Sequence, residues 1–310
     1  MHGFLVPSKK QQVNKNASLV MRMALALGFE KMAWALRRLY CPVDRKALVL
    51  EVGSGGNPYP RANVLLDAFE VTRQRHWAPL ISDRPTVLGA AERLPFRDKA
   101  FDFVIASHVL EHSSNPEAFL SELQRVAHAG YIEVPDAFME RLNPYHDHRL
   151  EITVRDGTLI IRKKAAWQAD PELTELYEAD AKAFIAGEAI PKHPFAFHVR
   201  YYWHETIPVK LLNPEVDATW DAPVATRVAP VISFRARINT MLLSLARAIL
   251  SQRSRNRTLQ LGSLLACPSC RSASLEIGKT FIHCPKCAAD YPIRNGLPVM
   301  FADLGGRTVA

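Results

Sequence analysis

The sequence lacks an uninterrupted apolar run long enough to cross a bilayer. Its most apolar N-terminal stretch, residues 17–27, is interrupted by Arg22 and has no clear small-residue cleavage site after it. A spanning helix needs about 20 consecutive apolar residues, and a secretory signal needs a cleavage site. The stretch therefore resembles neither, and we expect a cytoplasmic protein.

Cysteine is scarce and unevenly placed. The 310 residues include five cysteines, an odd number that argues against a complete disulfide framework. Four of them form two Cys-x-x-Cys pairs near the C-terminus, a pattern typical of metal ligation in a reducing compartment. This distribution agrees with a cytoplasmic location.

Internal repeats and an acidic excess are also absent. The formal net charge is +8 and the isoelectric point is about 9.3. Such a charge attracts nucleic acid, acidic glycans or lipid headgroups, although solvated basic surfaces without a ligand are common. The charge alone therefore excludes no class of function.

Short apolar runs alternate with helical patterns in the first half of the chain. The runs predict strands at 47–52, 63–66, 86–88, 101–106 and 130–134. The spacing of apolar residues predicts helices at 19–39 and 116–127. About ten residues separate the first two strands, which is short for a crossover helix, so we expect a turn there. Strands alternating with helices predict an α/β fold.

The pattern changes after residue 135. Two runs, 151–155 and 158–162, flank Asp156-Gly157, which predicts a hairpin. A helix is predicted at 171–186, followed by an aromatic and histidine-rich stretch at 193–203 and a proline-punctuated linker to about residue 230. We interpret this region as a substrate cap.

An apolar stripe at helical spacing lies beyond the linker, formed by Phe234, Ile238, Met241, Leu242, Leu245 and Ile249. Arginines accompany it, so a core-facing helix and a basic helix lying on an anionic membrane both fit. The predicted domains are an N-terminal amphipathic helix (1–45), a cofactor-binding core (46–137), a cap (138–230), the basic helix and linker (231–260) and a small C-terminal metal-binding domain (261–310).

A glycine-rich turn, Glu51-Val52-Gly53-Ser54-Gly55-Gly56, follows the first predicted strand. Glycine allows close approach of a ligand to the backbone, but such a turn alone is weak evidence. A second string is more specific: Leu94-Pro95-Phe96, then Phe101-Asp102, then Leu110-Glu111-His112. In order and spacing, residues 48–135 resemble class I S-adenosylmethionine-dependent methyltransferases of the small-molecule, type 11-like subgroup.

The resemblance implies a Rossmann-like methyltransferase sheet with a cofactor site. Glu51, Gly53 and Gly55 would face the methionine part of S-adenosylmethionine, and Asp67 would accept hydrogen bonds from the ribose hydroxyls unless it acts as a capping residue. The expected cofactor-binding set is completed by Ala91, Glu92 and Ser107. Two positions depart from the family: Ala90 replaces an aspartate that contacts adenine, and Asn57 replaces the third glycine.

Histidines after the fourth predicted strand are the candidate catalytic groups. A hydroxyl acceptor benefits from a general base with a pKa near neutrality, which favours His108 and then His112. The segment Tyr145-His146-Asp147-His148 and the cap histidines His193, His198 and His204 offer further bases or a second metal site. Dispersed histidines are more often surface or hydrogen-bonded core residues.

The cysteine pairs Cys267/Cys270 and Cys284/Cys287 have the spacing of two zinc knuckles. Residues 264–301 resemble the small zinc-ribbon protein that activates RNA and protein methyltransferases. The resemblance implies a structural Zn²⁺ and a ribbon that stabilises the catalytic domain in cis. Because so short a segment has no core of its own, we expect it to need the metal to fold.

Four functions are compared. The favoured one is methylation of a small-molecule or glycan hydroxyl, with peripheral membrane contact through the basic helix left open. A nucleic-acid or protein methyltransferase with the ribbon as a fused activator is the second, although the chain lacks an Asn-Pro-Pro-Tyr type of signature after the fourth strand. A scaffold that has lost cofactor binding is the third. A nicotinamide oxidoreductase is disfavoured because the downstream motifs have no role in it.

Overall fold

The computed structural model describes residues 16–72, 77–168, 170–221, 241, 244, 245, 247 and 249–302. The chain divides into two compact units. Unit 1 comprises Met1–Pro42, Ser107–Ser114 and Tyr131–Ala225, and unit 2 comprises Val43–Ala106, Asn115–Gly130 and Thr226–Ala310. Each unit is therefore assembled from separate stretches of the chain. The domain boundaries expected from the sequence stay predictions.

Unit 2 contains the parallel sheet that the apolar runs predict. Its strands are β1 (Val49–Val52), β2 (Val64–Asp67), β3 (Thr86–Leu88), β4 (Phe101–Ser107) and β5 (Ala127–Pro135), the last of which begins in unit 2 and ends in unit 1. The order is β3-β2-β1-β4-β5, with parallel pairing among β3, β2, β1 and β4. The α/β class and all five strands are confirmed.

The buried strands and one helix form the core of unit 2. Every residue of β1, β2 and β3 is buried, as expected for apolar strands covered on both faces. The helix Pro116–Val126 begins at Asn115, whose side chain accepts a hydrogen bond from the Ala118 amide. It buries Phe119, Leu120, Leu123 and Val126 at helical spacing. Residues 53–63, all of them described, form turns without a helix, so the short first crossover is confirmed.

The N-terminal part of unit 1 is helical but differs from the prediction. The single helix expected at 19–39 is wrong, because the structure has two α-helices, Leu19–Ala26 and Glu30–Leu36, and a 3₁₀ turn, Arg37–Leu39. Gly28 separates the two helices with φ of +79°, a left-handed conformation that glycine adopts without strain. The buried residues of this pair pack with Phe195 into a small core that contains Ala17, Met21, Ala24 and Ala33.

Unit 1 also contains a three-stranded sheet. The hairpin of β6 (Leu150–Arg155) and β7 (Thr158–Lys163) turns at Asp156-Gly157, where both residues have positive φ, and this prediction is confirmed. Two strands were not predicted: β8 (His198–His204), which neighbours β5, and β9 (Val209–Leu211), which pairs with β7. The aromatic residues of β8 alternate in burial, the pattern of a half-buried strand.

The helical part of unit 1 differs from the expected helix 171–186. It runs on to residue 192 and alternates α and π turns, with the bounds Pro171–Leu176, Tyr177–Ala181, Lys182–Phe184, Ile185–Ala189 and Ile190–Lys192. Two short helices complete the unit, Ala137–Leu142 and Pro194–Phe197. Among the helices of the described residues, none has the length and apolarity needed to cross a membrane.

The C-terminal part of unit 2 is a small antiparallel sheet. Its strands are β10 (Glu276–Ile277), β11 (Phe281–Cys284), β12 (Ala289–Arg294) and β13 (Leu297–Pro298), in the order β10-β11-β12-β13. The helix Arg253–Thr258 and the 3₁₀ turn Leu261–Ser263 precede it. Most of the basic helix predicted upstream, including Phe234, Ile238 and Leu242, lies outside the described residues.

Candidate active site and metal centre

The glycine-rich turn lies at the carboxyl end of β1, beside the end of β2. The amides of Gly53 and Ser54 both donate to the Leu66 carbonyl, at 2.8 and 3.2 Å. Gly53 and Gly55 have φ of +71° and +58°, which a side chain would strain. Ser54 Oγ is buried and, within the described part of the chain, has no hydrogen-bond partner. A bound polar ligand would satisfy this hydroxyl.

Two buried carboxylates brace the turn. Asp67 accepts hydrogen bonds from the Gly55 amide at 2.9 Å and from the Phe69 amide at 3.0 Å. Glu51 accepts one from the Tyr59 amide at 2.7 Å. Asp67 therefore does cap a turn, as the alternative reading held.

The other expected cofactor residues divide between the two units. Ala91 and Glu92 begin a 3₁₀ turn, Ala91–Arg93, shortly after β3, whose neighbour is β2. They therefore follow the same edge of the sheet as Asp67. Ser107 belongs to unit 1, where its hydroxyl donates to Glu133 at 3.2 Å. Asn57 is not among the described residues with positive φ, so it does not reproduce a left-handed glycine.

His108 lies between two buried carboxylates of unit 1. Its Nδ1 is 3.4 Å from Glu111 and its Nε2 is 3.4 Å from Glu133. The ring is 42% exposed, and the backbone has φ of +56°. A histidine in this conformation is uncommon, and such strain concentrates at functional sites.

The two carboxylates change the expected protonation of His108. Burial by itself would lower its pKa, but Glu111 and Glu133 outweigh burial and raise the pKa of His108 to about 10. A pKa this high differs from the near-neutral value that the sequence predicted for a general base. For His112, burial is the main cause of a lowered pKa.

Glu133 is the centre of a buried network that sequence reasoning missed. Its carboxylate accepts from Arg37 Nε at 2.7 Å and Nη2 at 2.8 Å, and from the Tyr131 hydroxyl. Arg200 in turn donates to the Tyr131 oxygen at 3.0 Å. One signal was available: Glu133 lies inside an apolar strand run, and a buried carboxylate needs a partner. Which residue supplies that partner is not visible in the run itself.

The remaining candidate histidines have separate environments in unit 1. His112 meets His148 edge to face, with ring centroids 4.8 Å apart. His146 is exposed and stacks on Trp167. His193 pairs with Glu30 at 3.0 Å, and His198 lies 5.6 Å from the His108 ring, centroid to centroid. The sets expected as a second metal site from 145–148 alone, or from His193, His198 and His204, do not form a metal-ligand cluster among the described residues.

The four C-terminal cysteines come together as predicted. Cys267 Sγ is 3.6 Å from Cys287 Sγ, and Cys270 Sγ is 3.5 Å from Cys284 Sγ. All four sulfur atoms lie within 4.8 Å of one another, so small adjustments would place them tetrahedrally around one ion. The donor set of four thiolates fits Zn²⁺.

The ribbon contacts the core of unit 2 at the edge formed by β3. The Met300 amide donates to the Leu88 carbonyl at 2.7 Å, and Val299 forms a parallel bridge with Leu88. A Cβ on Gly89 would lie 3.0 Å from the Met300 carbonyl oxygen. The C-terminal segment therefore continues the sheet beyond β3 and covers that edge.

A family model described as a methyltransferase domain matches residues 60–132, and no curated protein matches the chain. The chain is similar to a solved Haloferax volcanii complex between the Trm112 methyltransferase activator and a methyltransferase, with 14% identity over 60% of this chain and 97% of that one, and a TM-score of 0.34.

Two further similar structures carry methyltransferase descriptions. A Thermotoga maritima protein described as a possible histamine N-methyltransferase is 18% identical over 45% of this chain and 70% of its own, with a TM-score of 0.29. A Bacillus halodurans protein is 18% identical over 36% and 66%, with a TM-score of 0.27. The matched domain and the order of the strands support a methyltransferase activity.

Proposed function

We propose that this S-adenosylmethionine-dependent methyltransferase transfers the methyl group of the cofactor to a hydroxyl of a small molecule or glycan. The observation that carries the proposal is His108, which is held between two carboxylates while 42% of its side chain stays exposed. A hydroxyl must lose its proton as it is methylated, and this group of side chains can receive it. We also propose a cytoplasmic location.

The residues of unit 2 would hold the cofactor, which supplies an already activated methyl group. Gly53 and Gly55 give the turn its left-handed backbone, and Ser54 Oγ is a buried hydroxyl that a ligand would satisfy. Glu51 and Asp67 keep the turn in this shape. Alignment of the acceptor and exclusion of water then account for most of the catalysis.

His108 would act as a relay for the acceptor proton. His108 would take up the acceptor proton at one ring nitrogen as the other releases a proton to Glu133, which lies 3.4 Å from Nε2. Removal of one acid-base group costs about 10²–10⁴-fold in rate. We therefore expect His108→Gln to lower kcat by that amount with S-adenosylmethionine affinity unchanged.

An acceptor screen with isotopically labelled S-adenosylmethionine tests this role. Hydroxyl-bearing small molecules and glycans are compared with amines, and His128→Gln, which alters an exposed histidine, is the matched control. Transfer to hydroxyls that fails only in His108→Gln supports the proposal. Transfer to amines alone, or an unchanged kcat in His108→Gln, contradicts it.

The cofactor site is tested by calorimetric titration with S-adenosylmethionine and S-adenosylhomocysteine. Hydrogen bonds to a charged group contribute about 1.5–3 kcal/mol, so Asp67→Ala should weaken binding roughly 10–100-fold. The control is Asp98→Ala, since the Asp98 side chain is 76% exposed in the same unit. If the intact protein binds neither compound, the cofactor site is wrong and the scaffold alternative takes its place.

The ribbon is proposed to bind structural Zn²⁺ through its four cysteines and to stabilise the catalytic core in cis. Its contacts with Leu88 and with the turn at residues 93–97 support this role. Because the ribbon and the methyltransferase domain share one chain, we retain a second candidate, an RNA or protein methyltransferase. A strongly salt-dependent affinity for RNA, together with methylation of that RNA, would favour the second candidate.

A further inference from the structure

A second cluster of metal-ligand side chains lies in unit 1, separate from the four cysteines. Glu111, His112 and His148 each offer one ligand atom, and these atoms all lie within 4.8 Å of one another. Two of the residues come from the turn after β4, and the third precedes β6, so the cluster depends on tertiary structure. Glu111 and His148 are buried.

Glu111 is the residue whose surroundings most need a ligand. Both of its carboxylate oxygens are buried and, among the described residues, accept no hydrogen bond. The ion pair with His108 Nδ1, 3.4 Å from Oε1, partly offsets the burial of this charge, and a carboxylate has further acceptor sites that a metal ion could occupy. Burying an ionised carboxylate is costly unless a cation or several donors satisfy it.

The two histidines are oriented by their Nδ1 atoms. His148 Nδ1 is 2.6 Å from Glu140 Oε2, and His112 Nδ1 is 3.1 Å from the Asp147 carbonyl oxygen. A carboxylate and a carbonyl only accept, so each Nδ1 donates its hydrogen and Nε2 is the ring atom left to bind a metal ion. Metal-bound histidines have this second interaction almost always.

Glu140 is itself held in place. Its Oε1 accepts from Lys164 Nζ at 2.5 Å and from the Tyr145 amide at 3.0 Å, which leaves Oε2 for His148. Such support fixes the ring of a metal ligand.

We propose that Glu111, His112 and His148 bind a divalent first-row transition metal ion, with Zn²⁺ or Fe²⁺ as the fitting class. Two imidazoles and one carboxylate suit these ions, whereas Mg²⁺ and Ca²⁺ prefer oxygen ligands alone. Three protein ligands leave coordination positions for water or a ligand oxygen. This site does not depend on the identity of the methyl acceptor.

The test measures metal content and spectra of the full chain. Protein purified with Zn²⁺ should contain two ions, one in the ribbon and one here, while His148→Ala and Glu111→Gln should contain one. His146→Ala is the matched control, since His146 is exposed on the same loop, and it should keep both ions. Circular dichroism verifies that each variant is folded.

Cobalt substitution distinguishes the two sites. The first ion should show thiolate charge-transfer bands, and the second should add ligand-field bands without them. Glu140→Gln should weaken binding of the second ion about 10–100-fold and leave the ribbon ion unchanged. The proposal is overturned if the intact chain takes up only one ion from saturating Zn²⁺, Co²⁺ and, without oxygen, Fe²⁺, or if the second ion is thiolate-bound.

Discussion

Glu133 contacts buried polar groups of unit 1, and no sequence motif indicated these contacts. Its side chain is completely buried, and Arg37, with 10% of its side chain exposed, meets it through two nitrogens. Burial would raise the pKa of Glu133, but His108 and Arg37 hold it well below the ordinary value of 4.5. The network therefore depends on an ionised Glu133.

Replacing Glu133 with Gln should destabilise the protein by about 3–5 kcal/mol at neutral pH, because Arg37 loses its buried partner. A depressed folded-state pKa contributes stability that is complete above the unfolded pKa, about 4.5, and is lost as the pH falls through the lower folded value. The difference in the free energy of unfolding between wild type and Glu133→Gln should therefore shrink as the pH falls below about 4.5.

Chemical unfolding at a series of pH values measures this difference. Glu172→Gln, which alters an exposed glutamate of the same unit, should differ little from wild type throughout. If the difference in the free energy of unfolding between wild type and Glu133→Gln stays constant down to about pH 3, ionisation of Glu133 does not stabilise the protein.

At the scale of elements, the helix Pro116–Val126 connects the core of unit 2 with the ribbon. Glu122 is buried and accepts hydrogen bonds from Arg271 of the ribbon, 2.6 Å to each carboxylate oxygen, and from the Leu94 amide at 2.8 Å. Arg93 adds a hydrogen bond to the Ser269 carbonyl at 2.8 Å. One carboxylate thus holds the turn after β3 and the first cysteine knuckle.

Glu122→Gln should loosen the ribbon from the core. The amide keeps an acceptor for Leu94 but removes the charge that faces Arg271, a loss of about 3 kcal/mol for a largely buried pair. We expect faster hydrogen exchange in residues 264–300 and a lower melting temperature. Glu117→Gln, on the exposed side of the same helix, is the control, and equal behaviour of the two variants would contradict the role of Glu122.

At the scale of the whole molecule, we expect metal content and stability to be coupled. The ribbon strands β10–β13 are short, and several of their residues are exposed, so we expect apolar burial alone to be too small to fold this segment. In small zinc domains, binding supplies about 10–16 kcal/mol of folding free energy. The ribbon in turn covers the edge of β3.

Removal of zinc with a chelator should unfold the ribbon and weaken S-adenosylmethionine binding, because the sheet edge next to Asp67 loses its cover. Hydrogen exchange of residues 276–298 and calorimetry, before and after zinc is restored, measure both effects. Cys41→Ser, outside the cysteine cluster, should bind zinc as wild type does, and Cys284→Ser should not. Persistent protection of the ribbon after complete chelation would contradict the prediction.

The sequence by itself determined the elements whose signals are local. Alternation and apolar runs predicted β1 to β7, the spacing of Pro116 to Val126 predicted a helix, and Asp156-Gly157 predicted a hairpin. The Cys-x-x-Cys pairs predicted the four-sulfur cluster. Each of these depends on residues within one element or on a short spacing, which a chain shows without folding.

Tertiary structure decided the contacts between residues that are far apart in the sequence. Arg37 and Glu133 are 96 positions apart, and Glu111 and His148 belong to different segments, yet each pair meets within one unit. The same holds for the protonation of His108, which depends on two carboxylates that the chain brings to its ring. No periodicity encodes such contacts, because they arise when separate elements bury their polar groups together and must satisfy them there.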